Sequence, residues 1–370
     1  MIQRNYSVLI ISSKTLQDMT STYLNISSNV SDKMSCQNMT LTDHQPELMP
    51  VLYSIIFTFG IIGNCLVIVV FRLQGDLKSV ASIYIMNLAV ADLVFLATLP
   101  FWATYYAFGY NWLFGKVMCK ISSSLLCLNL FASIFFISCM SVDRYLAVVY
   151  PFSSQRRTKH QACLVSISVW ILAILSSIPT FYFRNAFYID ELGVRVCAMD
   201  FPKEKYSSWC VGMALMKIML GFCAPVCVIG TCYLMIGIHL IRSKGPMITI
   251  QNRDRVLKIV TAIVMAFLIC WFPFHALTFL DALVRMHIIS NCQIVTFIEK
   301  AMPFCICMGF SNSCINPLLY CFVGNQFREN FRHLFLSKIS VNINSQLNSS
   351  RKASDCKEQE PSGQSNNVVI

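Results

Sequence analysis

Residues 121–145 read ISSSLLCLNLFASIFFISCMSVDRY, and no charged side chain interrupts this stretch before Asp143. An uncharged run of this length meets the requirement of about 20 apolar residues for a helix that crosses a bilayer. The whole chain supports this interpretation, because 56% of its 370 residues are hydrophobic and 13% are charged, whereas soluble proteins carry about 25% charged residues. The composition excludes a soluble enzyme, a disordered scaffold and a coiled coil, and it predicts a protein surrounded by membrane lipid.

Six further runs of similar length and polarity accompany this one. In chain order, the seven runs are residues 48–71, 79–115, 121–142, 162–183, 206–241, 256–283 and 294–327. Lipid offers no hydrogen-bond partners to a peptide group, so each run must form a helix. The sequence therefore predicts an all-α integral membrane protein, a seven-transmembrane helix bundle whose helices we call spans 1 to 7.

Basic residues indicate which side of the membrane each terminus occupies. Lys and Arg are concentrated between spans 1 and 2, 3 and 4, and 5 and 6, and in the C-terminal tail; such an excess marks the cytoplasmic side. Most of the net charge of +11 then faces the anionic inner leaflet, so no nucleic-acid partner is needed to explain it. We expect a multi-pass protein of the plasma membrane with an extracellular N-terminus and a cytoplasmic C-terminus.

The two ends of the chain differ in composition from the bundle, which we place at residues 48–324. Residues 1–47 are expected to be a glycosylated extracellular tail. Its four N-glycosylation sequons begin at Asn5, Asn25, Asn29 and Asn38. Residues 325–336 are predicted to form an amphipathic cytoplasmic helix 8. Residues 337–370 are rich in Ser, Asn, Gln and Lys, and a disordered cytoplasmic tail is expected because such a composition cannot bury a core.

Asp92 is the deepest charge in any predicted span. A charge in a span costs at least ~2.5–3.5 kcal/mol, which makes it a functional candidate. The other oxygen-bearing side chains at similar depth are Asn87, Asn129, Ser133, Asn312, Ser313 and Asn316. A carboxylate surrounded by such oxygens suits a small hard cation. The alternative is a hydrogen-bonded polar cluster that fixes helix packing.

A second polar layer is predicted in the outer third of the bundle. Arg184, Lys217, Asp281 and Glu299 fall at one depth, which indicates a wet cavity. Such a cavity matches a ligand with both signs of charge, for example a peptide with a carboxylate and a basic side chain. The alternative is that these four groups only pair with one another. The aromatic residues near this level that suit an interfacial belt are Tyr105, Tyr106, Trp112 and Trp209.

Most of the 18 cysteines lie within the predicted spans, where cysteine behaves as a small hydrophobic residue. Those on the oxidising side, clear of the spans, are Cys36, Cys119, Cys197 and Cys292. Four cysteines allow three pairings. No group of Cys and His has the spacing of a zinc site.

Short motifs occur in order along the spans. They are GIIGN at residues 60–64, NLAVAD at 87–92, DRY at 143–145, Trp170, CWFP at 270–273 and NPLLY at 316–320. This ordered set resembles the rhodopsin-like G-protein-coupled receptors.

The segments LPFWATYY (99–106), IPTFYFR (178–184) and WFPFHALTFLDAL (271–283) are similar to angiotensin receptors, above all to their type 2 branch. Type 1 angiotensin, bradykinin and apelin receptors are the next alternatives. A seven-helix transporter would need repeated halves or several charges along a pore.

The resemblance implies a receptor, not an enzyme, for the peptide hormone angiotensin II or a related peptide. Arg184 and Lys217 match positions that hold the hormone's C-terminal carboxylate. Asp281 and Glu299 match those for its basic side chain near the N-terminus, although Asp is expected where Glu299 stands. The aromatic residues assigned to the same site are Trp102, Tyr105, Tyr106 and Trp271. The intracellular partners implied are a heterotrimeric G protein or other cytoplasmic effectors.

The resemblance also implies two disulfides, a sodium site and a switch. The disulfides are Cys119–Cys197, from span 3 to the second outer loop, and Cys36–Cys292, from the tail to the third outer loop. The residues of the allosteric sodium site, with no other cofactor expected, are Asp92, Asn129, Ser133, Asn312 and Asn316. The switch residues are Asp143, Arg144, Tyr145, Tyr233, Asn316, Pro317 and Tyr320. In the inactive bundle Arg144 is expected near Asp143; in the active one, span 6 swings outward and Arg144 meets Tyr233 and Tyr320.

Overall fold

A computed structural model describes most of the chain between the two tails. The described ranges are residues 45–73, 80–151, 158–190, 193–242 and 248–323. The four sequons, Cys36, the predicted helix 8 at 325–336 and the tail at 337–370 lie outside them, so the predictions made for those segments stay predictions.

Seven helices of the described chain are long and apolar enough to cross a membrane, which confirms the predicted bundle. Spans 1 to 4 are Gln45–Leu73, the pair Val80–Leu96 and Leu99–Ala107, Gly115–Val149 and Lys159–Phe183. Spans 5 to 7 are Tyr206–Arg242 in three consecutive segments, Ile248–Arg285 and Cys292–Val323. Span 3 is the most enclosed helix, with Phe131, Ile134 and Ile137 fully buried.

Span 2 is interrupted where the sequence shows one continuous apolar run. The helix opens at Ala97 and Thr98, just before Pro100, and the Thr98 hydroxyl donates to the carbonyl of Phe95 at 2.7 Å. Proline has no N–H to donate and its ring crowds the preceding turn, which accounts for the break. The helix then ends at Ala107, well before the apolar run ends at Gly115.

Span 5 contains a π-helical turn at Met219–Cys223, between the segments Tyr206–Ile218 and Ala224–Arg242. Pro225 cannot donate a hydrogen bond to the carbonyl four residues before it, which favours an irregular turn at this place. A π turn inserts one residue into the helix. It therefore rotates the outer part of the span, which carries Lys217, relative to the inner part.

Glycine allows spans 6 and 7 to approach closely at Trp271. A Cβ atom built on Gly309 would lie 2.8 Å from two carbon atoms of the Trp271 indole. The indole is buried and rigid, so it cannot yield as a flexible side chain would. The position of Trp271 against span 7 thus depends on the absence of a side chain at residue 309.

We expect Gly309→Ala to lower the free energy of unfolding by about 1–3 kcal/mol, because the extra methyl group overpacks this contact. Thermal unfolding of the detergent-solubilised protein measures the change. Gly230→Ala is the matched control, since a Cβ on Gly230 meets nothing within 4 Å. Equal losses in the two variants would show that the contact with Trp271 is not the cause.

A β-hairpin connects spans 4 and 5, and the all-α prediction did not include it. Strand β1, Arg184–Ile189, pairs antiparallel with strand β2, Val194–Met199. The expected disulfide between Cys119 and Cys197 is present, with an S–S distance of 1.99 Å, and ties β2 to span 3. Cys292 also takes part in a disulfide, but its predicted partner Cys36 lies outside the described residues.

Candidate functional site

Arg184 lies where span 4 ends and β1 begins. Its guanidinium carbon is 5.6 Å from the centre of the Trp102 ring, a cation–π contact. Its Nε atom is buried without a hydrogen-bond partner. Burial lowers the pKa of the Arg184 guanidinium, and the nearby Tyr105 and Tyr106 act in the opposite direction. Arg184 is thus a partly desolvated cation that no described carboxylate neutralises.

Lys217 is the second cation of the site and lies on span 5, just before the π turn. The positive charge of Arg184 is close enough to repel that of Lys217, so the two side chains lie in the same part of the bundle. Neither forms an ion pair with an acidic residue in the described ranges. Two like charges in a poorly hydrated region favour an anion between them. The structure therefore brings together the two residues assigned to a ligand carboxylate.

The predicted aromatic residues on span 2 form a cluster beside Arg184. Trp102 is buried, and its ring centre lies 5.9 Å from that of Tyr105 and 5.2 Å from that of Trp112. Tyr106 contacts Tyr105 at 5.7 Å. This cluster forms an apolar wall next to Arg184.

The aromatic belt interpretation is wrong for Trp112 and applies to Trp209. Trp112 is 1% exposed, and its indole N–H donates to the carbonyl of Gly115 at 2.8 Å. Its backbone N–H also donates to the carbonyl of Arg195 in the hairpin, at 2.6 Å. Trp209 is 42% exposed at the outer end of span 5, as a belt residue should be. The Trp112 ring packs against the rings of Trp102, Tyr105 and Phe114, a tertiary arrangement that the residue pattern did not reveal.

Trp271 and His275 lie one turn apart on span 6, on the inner side of Lys217. Their ring centres are 6.3 Å apart, and His275 lies 5.0 Å from the ring of Phe222 on span 5. Both nitrogens of the buried His275 ring lack a hydrogen-bond partner, as does the indole N–H of Trp271. Lys217 on span 5 lies near His275. His275 is a member of the site that the sequence analysis did not assign.

The predicted acidic residues lie near each other, but Asp281 already has a partner. Arg285, one turn later on span 6, donates from Nε to Oδ2 of Asp281 at 2.7 Å. Glu299 on span 7 is exposed and interacts electrostatically with both Asp281 and Arg285. Arg285 was not among the predicted site residues, although a spacing of four residues on a helix is a recognisable signal for such a pair.

Cys210 connects the two halves of this charged region. Its thiol, on span 5, lies within electrostatic range of Arg285, Asp281 and Lys217. The cations assigned to a carboxylate and the acids assigned to a basic group therefore border one region at the outer end of the bundle. The alternative that the four predicted charges pair only with one another does not describe this arrangement, because Asp281 pairs with Arg285.

Asp92 is fully buried and accepts three side-chain hydrogen bonds. Asn129 Nδ2 and Ser313 Oγ donate to Oδ1 at 2.9 and 2.7 Å, and Asn316 Nδ2 donates to Oδ2 at 3.1 Å. These bonds join spans 2, 3 and 7. Ser313, which was not assigned to the sodium site, makes the shortest of the three.

Several oxygen atoms of the predicted sodium site are buried without a hydrogen-bond donor. They are Ser133 Oγ, Asn312 Oδ1 and Asn316 Oδ1. A buried acceptor that receives no hydrogen bond is costly, and a cation satisfies such atoms. The donor set of one carboxylate with hydroxyl and amide oxygens therefore fits a small hard cation.

At the end of span 3 that carries the DRY motif, Arg144 forms an ion pair with Asp143. Tyr233 on span 5 is close enough to interact electrostatically with Arg144, while Tyr145 contacts Tyr150 with ring centres 5.9 Å apart. The pairing of Arg144 with Asp143 is the arrangement expected of the inactive bundle, whereas the proximity of Tyr233 to Arg144 was expected of the active one.

The remaining switch residues belong to span 7. Asn316 and Pro317 are buried, and Pro317 packs against Gly63 of span 1, where an added Cβ would lie 2.9 Å away. Tyr320 belongs to the same helix, but its side chain lies outside the described part of the structure. Asn316 therefore joins the switch region directly to Asp92 through its hydrogen bond.

Comparison with known proteins finds one matching family and several similar receptors. The profile described as "7 transmembrane receptor (rhodopsin family)" matches residues 63–320. The Type-2 angiotensin II receptor of Homo sapiens is 51% identical over 338 residues, which cover 91% of this chain and 93% of that receptor. That of Mus musculus is 55% identical over 294 residues, covering 80% and 81%. The Type-1 angiotensin II receptor of Sus scrofa is 43% identical over 288 residues, covering 78% and 80%.

Proposed function

The chain belongs to the rhodopsin family of seven-transmembrane receptors, and from this membership we propose that it is a cell-surface receptor for angiotensin II with the character of the type 2 subtype. The higher identity with the Type-2 receptors than with the Type-1 receptor supports this assignment. The observation that carries the proposal is the pair of cations, Arg184 and Lys217, which border one region without a carboxylate partner.

The arrangement of the site suggests how such a peptide binds. The C-terminal carboxylate of the peptide supplies the anion between Arg184 and Lys217, as a charge-assisted pair. The wall formed by Trp102 and its aromatic neighbours receives the adjoining apolar part of the ligand. Displacement of radiolabelled angiotensin II from expressing cells by subtype-selective ligands tests the assignment. Displacement by ligands selective for type 1, bradykinin or apelin receptors would contradict it.

Signal transmission is a shift in population from the inactive to the active conformation of the bundle. The described structure has Arg144 paired with Asp143, and activation moves span 6 outward so that Arg144 meets Tyr233 and Tyr320. A ligand drives this change only by binding the active state more tightly, and a full switch needs about 10⁴-fold selectivity. The exposed cytoplasmic surface then binds a heterotrimeric G protein or another effector.

The proposal includes the orientation of the chain in the plasma membrane. The N-terminal tail with its sequons faces the outside, where Asn5, Asn25, Asn29 and Asn38 are glycosylated. The disulfide between Cys119 and Cys197 suits an extracellular position of the hairpin, because disulfides persist in oxidising surroundings. The second disulfide, from Cys36 to Cys292, connects the tail to the same outer surface.

We also propose that sodium binds at Asp92. The residues that would hold it are Asp92 and the oxygens of Ser133, Asn312 and Asn316, three of which receive no hydrogen bond. Bound sodium would supply a positive charge that neutralises the buried carboxylate. The three donors on Asn129, Ser313 and Asn316 fix the orientation of the carboxylate and join three spans at one point.

Raising the sodium concentration is expected to lower agonist affinity, since a cation that stabilises the inactive bundle opposes the agonist. Coupling between two sites typically changes affinity by roughly 5- to 150-fold. Asp92→Asn should abolish the response. Agonist binding is measured at constant ionic strength with choline replacing sodium. A sodium response that persists in the variant would leave Asp92 as a structural hydrogen-bond acceptor only.

A further inference from the structure

Two interactions fix the position of Arg285 at the outer end of span 6, an ion pair with Asp281 and a hydrogen bond from span 5 to its backbone. Arg285 donates to Asp281 at 2.7 Å, and their side chains are 24% and 32% exposed. The spacing of four residues keeps both side chains on one face of the helix. The Ser207 hydroxyl donates to the backbone carbonyl of Arg285 at 2.9 Å, which ties this end of span 6 to the start of span 5.

The surrounding groups make Arg285 part of the charged region rather than a remote surface residue. Tyr206 and Cys210 on span 5 lie near Arg285. The charged Glu299 on span 7 lies within electrostatic range of both Arg285 and Lys300. The nearest carboxylate, that of Asp281, is thus already neutralised before any ligand arrives. A cationic group entering this region meets Arg285 as a competitor.

We propose that Arg285 is a specificity-determining residue that competes with the basic side chain of a peptide ligand for Asp281. This inference rests on the proposed function and adds a residue to it. To contact Asp281, a ligand guanidinium has to displace Arg285, so the affinity gained from the ligand's charge is smaller than an open carboxylate would provide. Displacement is feasible because partly exposed ion pairs are weak.

The test compares angiotensin II with an analogue whose basic side chain near the N-terminus is replaced by a neutral isostere. In competition binding to the full-length receptor in membranes, Arg285→Gln should raise the affinity for angiotensin II by about two- to fivefold, the range set by an exposed ion pair. The affinity for the neutral analogue should stay unchanged. In the double variant Arg285→Gln, Asp281→Asn, the gain for angiotensin II should disappear.

Arg195→Gln is the control for a general change in surface potential, because Arg195 is exposed on β2 and the change in charge is the same. It should alter the ratio of the two affinities by much less than Arg285→Gln. Equal gains for both ligands, or a loss of angiotensin II affinity in Arg285→Gln, would overturn the inference while leaving the proposed function in place. Failure of the wild-type chain to bind angiotensin II would overturn the proposed function, and this inference with it.

Discussion

Lys217→Gln is expected to lower the affinity for angiotensin II by roughly 30- to 1000-fold or more, the equivalent of about 2–5 kcal/mol for a buried charge pair. The reason is the position of the ammonium group on span 5. It lies near Arg184, with no carboxylate partner in the described ranges, and a charge at that depth is costly unless something neutralises it. The C-terminal carboxylate of the ligand is the proposed partner.

A C-terminally amidated peptide separates this contact from general damage to the site. The amide carries no negative charge, so it should bind wild type and Lys217→Gln with nearly equal affinity. The four measurements form a double-mutant cycle, in which the coupling between Lys217 and the carboxylate is the difference between the two losses. Competition binding on membranes from expressing cells provides all four values.

Lys116→Gln provides the matched control, because it removes the same charge from an exposed position at the outer end of span 3. It should bind both peptides as the wild type does. Should the amidated peptide lose as much affinity on Lys217→Gln as the natural one, Lys217 is not the partner of the carboxylate. Pairing with Asp281 would then also require Arg285 to move, since Arg285 holds that carboxylate.

Removal of the Cys119–Cys197 disulfide is expected to have the second-largest effect. Native disulfides of extracellular regions stabilise by about 2–5 kcal/mol, and this one ties β2 to span 3. Ala186 pairs with Cys197 across the hairpin, and Arg184 begins the same strand. Release of the hairpin should therefore reduce both the thermal stability and the affinity for angiotensin II.

Thermal unfolding and radioligand binding of the double variant Cys119→Ala, Cys197→Ala measure the two effects. Changing both cysteines leaves no single thiol to react elsewhere. Cys163→Ala is the control, because Cys163 is a free cysteine exposed on span 4, and its loss should change neither property. A double variant with wild-type melting temperature and affinity would show that the contacts of Trp112 and Asn111 with the hairpin hold Arg184 in place without the disulfide.

The membrane spans and the family could be predicted from residues alone. The requirement that a helix in lipid be long, apolar and hydrogen-bonded within itself is local to each run, so counting uncharged residues was sufficient for the seven helices. The deep Asp92 was equally visible, because a carboxylate within an apolar run has no local explanation. Its partners Asn129 and Asn316 were recognised by their similar depth in spans 3 and 7 and by the family resemblance.

Contacts that depend on how one helix faces another were decided only by the tertiary structure. In a soluble helix the apolar face is the buried face, but every face of a membrane helix is apolar, so hydrophobic periodicity does not show which side packs inward. Nothing in the sequence around Gly309 indicates that the Trp271 indole rests against it. The π turn before Pro225, which rotates Lys217 relative to the rest of span 5, is likewise a result of packing and backbone geometry.

The sequence by itself determined that this chain is a seven-span membrane protein with a deep carboxylate and charges of both signs near its outer end, because lipid imposes a high cost on each polar group wherever it occurs in a span. Only the tertiary structure decided which of those charges are satisfied. Arg285 neutralises Asp281, whereas Arg184 and Lys217 border one region without an acid. The Asp281–Arg285 pair is local to one helix and had a signal in the spacing of four residues, whereas the proximity of Arg184 and Lys217 depends on how the hairpin that carries Arg184 packs against the bundle.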